Sequence, residues 1–274
     1  MVQIMKIVLL TSESYRHKYI AHKLFQHFDL KLIITEKKSV MIENVSNLEK
    51  NDKFFINNHF EQRKKSELNY FFYYQLFPDT PFLSVNHGEI NSEFVFEKIK
   101  KIEPDFIILF GTSIIKNPIL NYFDGKIINL HLGLSPYYKG SATNLFPILF
   151  KDFEAIGATI HIATEKVDDG PILHQLRPEI NINDSLHDIG NKVIKKAGIE
   201  LPKIITLYGN GDLKGIKVSG HGVLCKNKDL TVEKLRIIYS NINQETLRVF
   251  IDNYSNKCAE KPIVEVLGSI KNYD

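Results

Sequence analysis

The sequence predicts an α/β protein with a Rossmann-like, open, mostly parallel twisted sheet and a small C-terminal appendage. Three observations lead to this fold class. Short β-forming runs alternate with segments whose apolar residues recur at helical spacing. Two of the runs, "DFIILFG" and "GKIINLHLG", are rich in apolar residues, which is typical of central strands. Beyond about Gly209 the pattern changes to short, glycine-punctuated stretches. We therefore predict a catalytic domain over residues 1–208 and an appendage over 209–274.

The N-terminal part has the pattern of a βαβ unit. The run "KIVLLTS" (6–12) predicts a strand, "YRHKYIAHKLFQHF" a helix, and "LKLIITE" (30–36) a parallel strand. Residues 37–75 are rich in Lys, Asn and Glu before a helical pattern develops. We expect a mobile loop there, followed by a surface helix.

The elements that follow continue the alternation. "NSEFVFEKIKKIEPD" predicts a helix that is capped by Asn91 or Ser92 and ends before Pro104. After the two central strands, "GSATNLFPILF" predicts a helix, "GATIHIATEKVDDG" a strand and loop, and "PILHQLRPEI" a further strand. A long helix capped by Asp184 comes next. In the appendage, "LRIIYSNI" and "LRVFIDNY" are amphipathic patterns that need a surface to cover, such as a dimer interface or a wall of the acceptor site.

Composition excludes several classes of protein. The chain has 274 residues, 43% hydrophobic and 24% charged, which is typical of a globular protein. Its 35 basic and 32 acidic side chains give a net charge of +3, too balanced for a protein that grips nucleic acid. Cys225 and Cys258 could form at most one bridge, and we expect both to be reduced. The apolar N-terminal run is too short for a signal sequence or a membrane span, so we expect a cytoplasmic protein without membrane association.

Several common motifs are absent from the sequence. Glycines 209, 211 and 215 follow a predicted helix and lack the spacing of a dinucleotide-binding loop. No GxxxxGK[ST] sequence exists, and the ten histidines show no metal-ligand spacing, so we expect no metal. Ser135 stands in "GLSP" rather than GxSxG, which removes the argument for a serine hydrolase.

The stretch "NLHLGLSPYYKGS" (129–141) carries the strongest chemical signal. Asn129 and His131 are two residues apart, so both side chains lie on one face of a strand, at its carboxyl end. An amide that donates to an oxyanion, beside an imidazole that moves protons, suits acyl-type transfer to an amine. Asp168 or Asp169 in "EKVDDG" could hold the histidine. Taken alone, these residues also suit plain structural roles, with Asp-Gly as a turn, and predict only an α/β enzyme of unknown reaction.

Two segments together resemble the 10-formyltetrahydrofolate-dependent formyltransferases. These are "NLHLGLSPYYKGS" and "GATIHIATEKVDDGPIL", which are similar to the family pattern Asn-x-His-x-Ser-Leu-Leu-Pro, then Lys or Arg with Gly, and later Asp-x-Gly. The resemblance covers about residues 80–207, and "RHKY", "HGEINS" and "HLGLSPYYKG" look most like the branch found with sugar biosynthesis. The chain departs from the pattern at Gly133, where Ser is usual, and at Ser135, where Leu is usual, which concerns the shape of the substrate loop.

The resemblance implies roles for particular residues. Asn129, His131 and Asp168 take the positions of the catalytic triad, with Asp168 rather than Asp169 because the acid stands two residues before Gly170. The co-substrate is 10-formyltetrahydrofolate, and its pterin is expected against the loop "GTSIIK". The expected folate contacts are Gly111, Ser113, Ile114, Ile115, Lys166 and Val167. The expected acceptor contacts are Arg16, His17, Tyr137, Tyr138, Lys139 and Gly140, with Arg16 and His17 on a pyrophosphate and the tyrosines on the sugar or base.

Three acceptors suit such an enzyme: a glycinamide ribotide, the amino group of methionyl-tRNA, and the amine of a nucleotide-linked amino sugar. The chain runs well past residue 207, where a purine-pathway enzyme would end, and its modest charge does not suit tRNA. We therefore expect a nucleotide-linked 3-amino or 4-amino dideoxy sugar, destined for a surface polysaccharide such as a lipopolysaccharide O-antigen or another glycan. We also expect a homodimer. The alternative from a different functional class is a catalytically inactive binding protein with the same fold.

Overall fold

The computed structural model describes residues 4–37, 49–220 and 222–268. Its strands are β1 (Lys6–Thr11), β2 (Asp29–Glu36), β3 (Phe82–Val85), β4 (Phe106–Leu109), β5 (Ile127–His131), β6 (Tyr138–Gly140), β7 (Ala158–Ile162), β8 (Ile172–Leu176) and β9 (Val223–Cys225). Its α-helices are α1 (Tyr15–Phe25), α2 (Lys50–Tyr70), α3 (Glu93–Ile102), α4 (Ile119–Tyr122), α5 (Phe146–Leu149), α6 (Leu186–Gly209), α7 (Val232–Asn241), α8 (Gln244–Asp252) and α9 (Tyr254–Glu260).

The central sheet confirms the predicted fold class. Its strand order is β3-β2-β1-β4-β5-β7-β8, and the five strands from β3 to β5 run parallel. Strand β7 is antiparallel to both β5 and β8. The sheet is therefore mostly parallel, with one reversed strand immediately beside the strand that carries Asn129 and His131.

Alternating side chains on each strand build a three-layer core. On β1, Ile7 and Leu9 belong to the apolar cluster that includes α1 and α6, while Val8 and Leu10 belong to the cluster that includes α3 and α4. All four are fully buried. Because successive strand residues point to opposite faces, a continuous apolar run is what a doubly covered strand requires.

The predicted helix boundaries need two corrections. Of "GSATNLFPILF", only α5 is helical, because residues in the left-handed region, Ala142 and Lys151 (each with φ of 56°), bracket it. The long helix α6 is capped by Ser185, whose Oγ accepts from the backbone N–H of Asp188, rather than by Asp184. Asp184 instead forms an ion pair with Lys192 at 2.7 Å. Helix α3 is capped by Ser92, one of the two predicted residues.

Helix α2 is more than the surface helix that was predicted. It packs against α6 and buries His59 and Glu67. Most of the loop expected before it, residues 38–48, lies outside the described residues. Polarity had suggested full solvation, but two of the polar side chains point inward and find partners on neighbouring helices.

The residues beyond α6 share the core of the sheet. Strand β9 pairs with β6, and α7 packs on α5. Leu235 and Phe250 belong to the same apolar cluster as β1. The division at residue 208 stays a prediction, and both cysteines are free thiols. Within the described ranges, no helix has the length and apolarity needed to cross a bilayer.

Candidate active site

The structure brings Asn129, His131 and Asp168 together at the carboxyl end of β5. The Nδ1 atom of His131 lies 3.3 Å from Oδ2 of Asp168, and Nδ2 of Asn129 donates to Oδ1 of Asp168 at 3.2 Å. Asp169 points elsewhere and pairs with Lys139 at 2.9 Å. The geometry therefore places Asp168, and not its neighbour, beside the strand residues.

A tight loop after β7 holds Asp168 in this position. A Cβ atom on Gly170 would lie 1.8 Å from the carbonyl oxygen of Ile162, so only glycine lets the loop return so close to the strand. Asp168 itself has a φ of 48°, in the left-handed region. The backbone N–H of Gly140 donates to Oδ2 of Asp168 at 2.8 Å. Gly140 thus supports the acid, whereas the sequence had suggested it for the acceptor.

Burial and hydrogen bonds set the charges of the site. Burial raises the pKa of Asp168, but the attraction of His131 when it is charged and the hydrogen bond from the Gly140 N–H act against burial, and the pKa falls below its ordinary value. Burial lowers the pKa of His131, and the attraction of Asp168 only partly offsets this. The site therefore favours the ionised form of the carboxylate and the neutral form of the imidazole.

A second histidine, His161, belongs to the cluster and was missed from the sequence. Its Nε2 lies 3.0 Å from Nδ2 of Asn129 and 3.4 Å from Oδ1 of Asp168. It stands directly opposite Asn129 in the antiparallel register of β5 and β7. The available signal was a histidine within "ATIHI", a mostly apolar strand. The sequence does not show which residue of β5 lies opposite this histidine.

The departure at Gly133 has a steric explanation. A Cβ atom there would lie 2.6 Å from Nε2 of His131 and 2.7 Å from the side chain of Thr143. The serine usual in the resembling pattern would collide with the histidine in this position. At Ser135, the second departure, the backbone N–H donates to Thr159 Oγ1 at 3.0 Å and the carbonyl accepts from Gln175 at 2.6 Å. The substrate loop is thereby tied to β7 and β8.

The expected folate loop is held by two polar side chains. Glu36 accepts from the backbone N–H of Ser113 at 2.7 Å and from its hydroxyl at 2.8 Å. Asn91 donates to the carbonyl of Ile114 at 3.0 Å and accepts from the N–H of Lys116 at 2.7 Å. The N–H and the hydroxyl of Ser113 already have a partner in Glu36, and the contact of this loop with the pterin stays a prediction.

The other folate candidates differ in accessibility. The side chain of Ile115 is buried and packs with α3 and α4, so any contact with folate would use its backbone, and that contact stays a prediction. Ile114 is 57% exposed, and Gly111 has the positive φ of 77° that lets the loop turn beside His17. Lys166 and Val167 are exposed on the loop that precedes Asp168, and their contact with folate stays a prediction.

Three of the acceptor candidates are buried. Arg16 forms an ion pair with Glu67, and both side chains lie inside the protein. His17 is 1% exposed and its ring lies against Phe110. Tyr138 is also buried and donates to Asp152 at 2.9 Å. The first turn of α1 had suggested a pyrophosphate site, but burial with an internal partner corrects Arg16 to a structural role.

The two remaining acceptor candidates flank Tyr138, whose carbonyl lies 3.4 Å from Nε2 of His131. Tyr137 is partly exposed and donates to the carbonyl of Pro262, while Lys139 pairs with Asp169. Both lie within a few residues of His131 along the chain. Among the residues that the structure describes, no group of His, Cys, Asp and Glu side chains is arranged to hold a metal ion.

Comparison with known proteins identifies relatives over much of the chain. Residues 5–205 match the family model described as "Formyl transferase". The chain is 28% identical over 121 residues to "Phosphoribosylglycinamide formyltransferase" of Escherichia coli, covering 44% of this chain and 57% of that protein. It is 29% identical over 120 residues to "Methionyl-tRNA formyltransferase" of Finegoldia magna, covering 43% of this chain and 38% of that protein. The matched region thus spans less than two thirds of these relatives.

Solved structures share the fold at low sequence identity. A sugar N-formyltransferase from Shewanella sp FDAARGOS_354 aligns with a TM-score of 0.56 and 17% identity, covering 87% of both chains. A 4-N formyltransferase from Francisella tularensis aligns with a TM-score of 0.56 and 17% identity, covering 88% of both chains. Glycinamide ribonucleotide transformylase 1 from Symbiobacterium toebii aligns with a TM-score of 0.55 and 17% identity, covering 79% of this chain and 96% of that chain.

Proposed function

Because the chain belongs to the formyl transferase family, we propose that it transfers the formyl group of 10-formyltetrahydrofolate to the amine of a nucleotide-linked amino sugar. One observation carries the transfer chemistry. Asn129, His131 and Asp168 converge at one strand end, with contacts of 3.2 Å and 3.3 Å to the carboxylate. An amide donor, a proton carrier and an anion that supports the carrier are what transfer of a carbonyl group to an amine requires.

The reaction forms one C–N bond and breaks another. The amine nitrogen attacks the formyl carbon, and the carbonyl electron pair moves onto oxygen. Collapse of this oxyanion breaks the bond from the formyl carbon to N10 of the folate, and the proton lost by the amine is gained by N10. Asn129 donates to the oxyanion, a contribution of about 3 kcal/mol for one such donor. His131 carries the proton, and Asp168 stabilises the imidazolium while it is charged.

The proposed acceptor is supported by the packing of the segment beyond α6 on the sheet core. The sugar N-formyltransferase from Shewanella sp FDAARGOS_354 aligns over 87% of the chain, which includes part of this segment. We propose Tyr137 and Lys139 as the acceptor contacts, because they flank Tyr138, whose carbonyl lies 3.4 Å from Nε2 of His131. A homodimer stays a prediction.

A transfer assay tests the proposal. The protein is incubated with 10-formyltetrahydrofolate and, separately, with nucleotide-linked 3-amino and 4-amino sugars, glycinamide ribotide and methionyl-tRNA. We expect one amino sugar to gain one CO unit by mass spectrometry, with one tetrahydrofolate released per product. Asn129→Ala should abolish the gain, while Asn121→Ala, which removes an exposed asparagine on α4, should not. Formylation of the ribotide or the tRNA alone would overturn the sugar assignment, and no product with any acceptor would favour the inactive binding protein.

A further inference from the structure

His161 is the one member of the polar cluster to which the proposed reaction gives no role. Its side chain is almost fully buried, 2% exposed, on the strand beside the catalytic strand. Its two ring nitrogens form hydrogen bonds with different partners, Nε2 with Asn129 at 3.0 Å and Nδ1 with the carbonyl of Ile162 at 2.9 Å. Nε2 also lies 3.4 Å from Oδ1 of Asp168 but forms no hydrogen bond with it. Because each contact admits only one donor, the partners determine where the ring proton lies.

The first constraint comes from Asp168. An ionised carboxylate can only accept hydrogen bonds, so the Asn129 atom 3.2 Å from Oδ1 of Asp168 must be the amide nitrogen. That same nitrogen is the atom 3.0 Å from Nε2 of His161. Since an amide nitrogen only donates, Nε2 must carry a lone pair.

The second constraint comes from the backbone. The carbonyl of Ile162 can only accept, so Nδ1 of His161, at 2.9 Å, must carry the hydrogen. The two constraints involve different atoms and agree. Together they require a neutral ring protonated at Nδ1.

We propose that His161 is a positioning residue, held as the neutral Nδ1–H tautomer, whose Nε2 accepts one hydrogen of the Asn129 amide and thereby aims the other. In the substrate-free site that other hydrogen is bound by Asp168 at the longer distance of 3.2 Å. During the reaction it passes from Asp168 to the formyl oxygen, while His161 keeps the amide plane in place. This catalytic part rests on the proposed function, whereas the tautomer does not.

The two histidines of the site therefore have different capacities. His131 faces an acceptor with each nitrogen, Oδ2 of Asp168 at 3.3 Å and the carbonyl of Tyr138 at 3.4 Å. It can bind a second proton without losing either contact. His161 cannot, because a proton on Nε2 would point at the amide hydrogens of Asn129, 3.0 Å away, and Oδ1 of Asp168 at 3.4 Å forms no hydrogen bond with this nitrogen. Proton transfer belongs to His131 and orientation to His161.

The tautomer is tested by NMR on the substrate-free protein labelled with ¹⁵N-histidine. Long-range ¹H–¹⁵N correlation distinguishes protonated from unprotonated ring nitrogens, and the signals that disappear in His161→Gln assign this residue. We expect a protonated Nδ1 and an unprotonated Nε2 at neutral pH. A protonated Nε2, in the neutral or the charged ring, would overturn the proposal whatever the acceptor proves to be.

The variants His161→Leu and His161→Gln test the catalytic consequence of positioning the Asn129 amide. The leucine variant has no acceptor for Asn129, and we expect kcat to fall by about 10²-fold, the lower end for loss of one oxyanion donor, with little change in KM. Glutamine can place an oxygen near the position of Nε2. We therefore expect kcat of the glutamine variant to be at least about tenfold higher than kcat of the leucine variant. Equal kcat values for the two variants would refute the positioning role.

His174→Leu is the matched control. His174 is also buried, 1% exposed, on the adjacent strand β8, where it bonds Glu200 at 2.9 Å and the N–H of Val266 at 3.0 Å. Its loss should lower the free energy of unfolding and leave kcat unchanged. If kcat fell as far as in His161→Leu, loss of any buried histidine would explain both, and the proposal would fail. Should His161→Leu not fold, the tautomer measurement and the glutamine variant decide.

Discussion

Nδ1 of His131 and Oδ2 of Asp168 lie 3.3 Å apart, and the two side chains are only 7% and 8% exposed. A charge on the imidazole is costly at this depth unless the carboxylate stays ionised beside it. Asp168 remains ionised because its two oxygens accept hydrogen bonds from the Asn129 amide and the Gly140 N–H, which offset the cost of burial. The pair is therefore built to make a transient imidazolium tolerable, and this leads to the first prediction.

Asp168→Asn should lower kcat by about 10²-fold or more, because the neutral amide no longer supports a charged His131. Asp169→Asn, which removes only the exposed ion pair with Lys139, is the control and should retain activity close to that of the unaltered protein. Formyl transfer measured for both variants at saturating folate checks this. The reverse pattern would mean that the loop presents the other carboxylate during the reaction.

Gly133→Ala should displace His131, because the added Cβ would lie 2.6 Å from its Nε2. We expect a marked fall in kcat and a loss of about 1–3 kcal/mol of stability from overpacking. Gly190→Ala in α6 is the control, since nothing lies within 4 Å of its Cβ and alanine favours a helix. Unchanged kcat in Gly133→Ala would show that the ring does not need this space.

Glu36→Gln should weaken folate binding without affecting the acceptor. The amide offers one acceptor oxygen where the carboxylate receives bonds at both oxygens, from Gly88 and Ser113. The loop 111–116 would loosen, and we expect the KM for folate to rise about tenfold, or about 1.4 kcal/mol. The KM for the acceptor should stay constant. In the control variant Glu61→Gln, a surface change on α2, the KM for folate and the KM for the acceptor should both stay constant. A change confined to the acceptor KM would contradict the assignment of this loop to folate.

Arg16→Ala should destabilise the protein rather than impair acceptor binding. It would leave Glu67 buried without its closest partner, which costs about 3–5 kcal/mol for a buried pair. Arg63, whose side chain is 38% exposed, also bonds Glu67, and Arg63→Ala should cost much less. Urea denaturation compares the two variants. A rise in acceptor KM with normal stability would restore Arg16 as an acceptor ligand.

Stability should fall in acid because of His59 and His187, which both bond the hydroxyl of Tyr239 at 3.0 Å. Burial is the main cause that lowers the pKa of His59 from 6.5 to about 3 and that of His187 from 6.5 to about 4. Below pH 6.5 the unfolded chain therefore binds more protons than the folded chain. The contribution of the two neutral histidines to the free energy of unfolding is complete above that pH and is lost progressively as the pH falls toward 4 and 3.

Urea denaturation at pH 7.5 and pH 5 measures this dependence. His59→Gln should reduce the difference in unfolding free energy between the two pH values, whereas His27→Gln, a change of an exposed histidine, should not. An unchanged pH dependence in His59→Gln would show that other groups govern acid stability.

Local covalent geometry explains what the sequence by itself determined. The period of two along a strand places Asn129 and His131 on one face, and the apolar runs around them require a sheet covered on both sides. The residues alone left Asp168 and Asp169 open, and the resemblance to the formyltransferase pattern, in which the acid stands two residues before the glycine, selected Asp168. Each of these features depends on neighbours within a few residues, so a pattern in the chain can reveal it.

Long-range packing decided the rest. His161 meets Asn129 through the register of an antiparallel strand, and Glu36 meets Ser113 across 77 residues of chain. Arg16, expected at the surface, is buried because α2 brings Glu67 to it from 51 residues away. The sequence alone does not show whether a polar side chain faces water or an internal partner. Its role depends on which distant group the tertiary structure places within hydrogen-bonding distance.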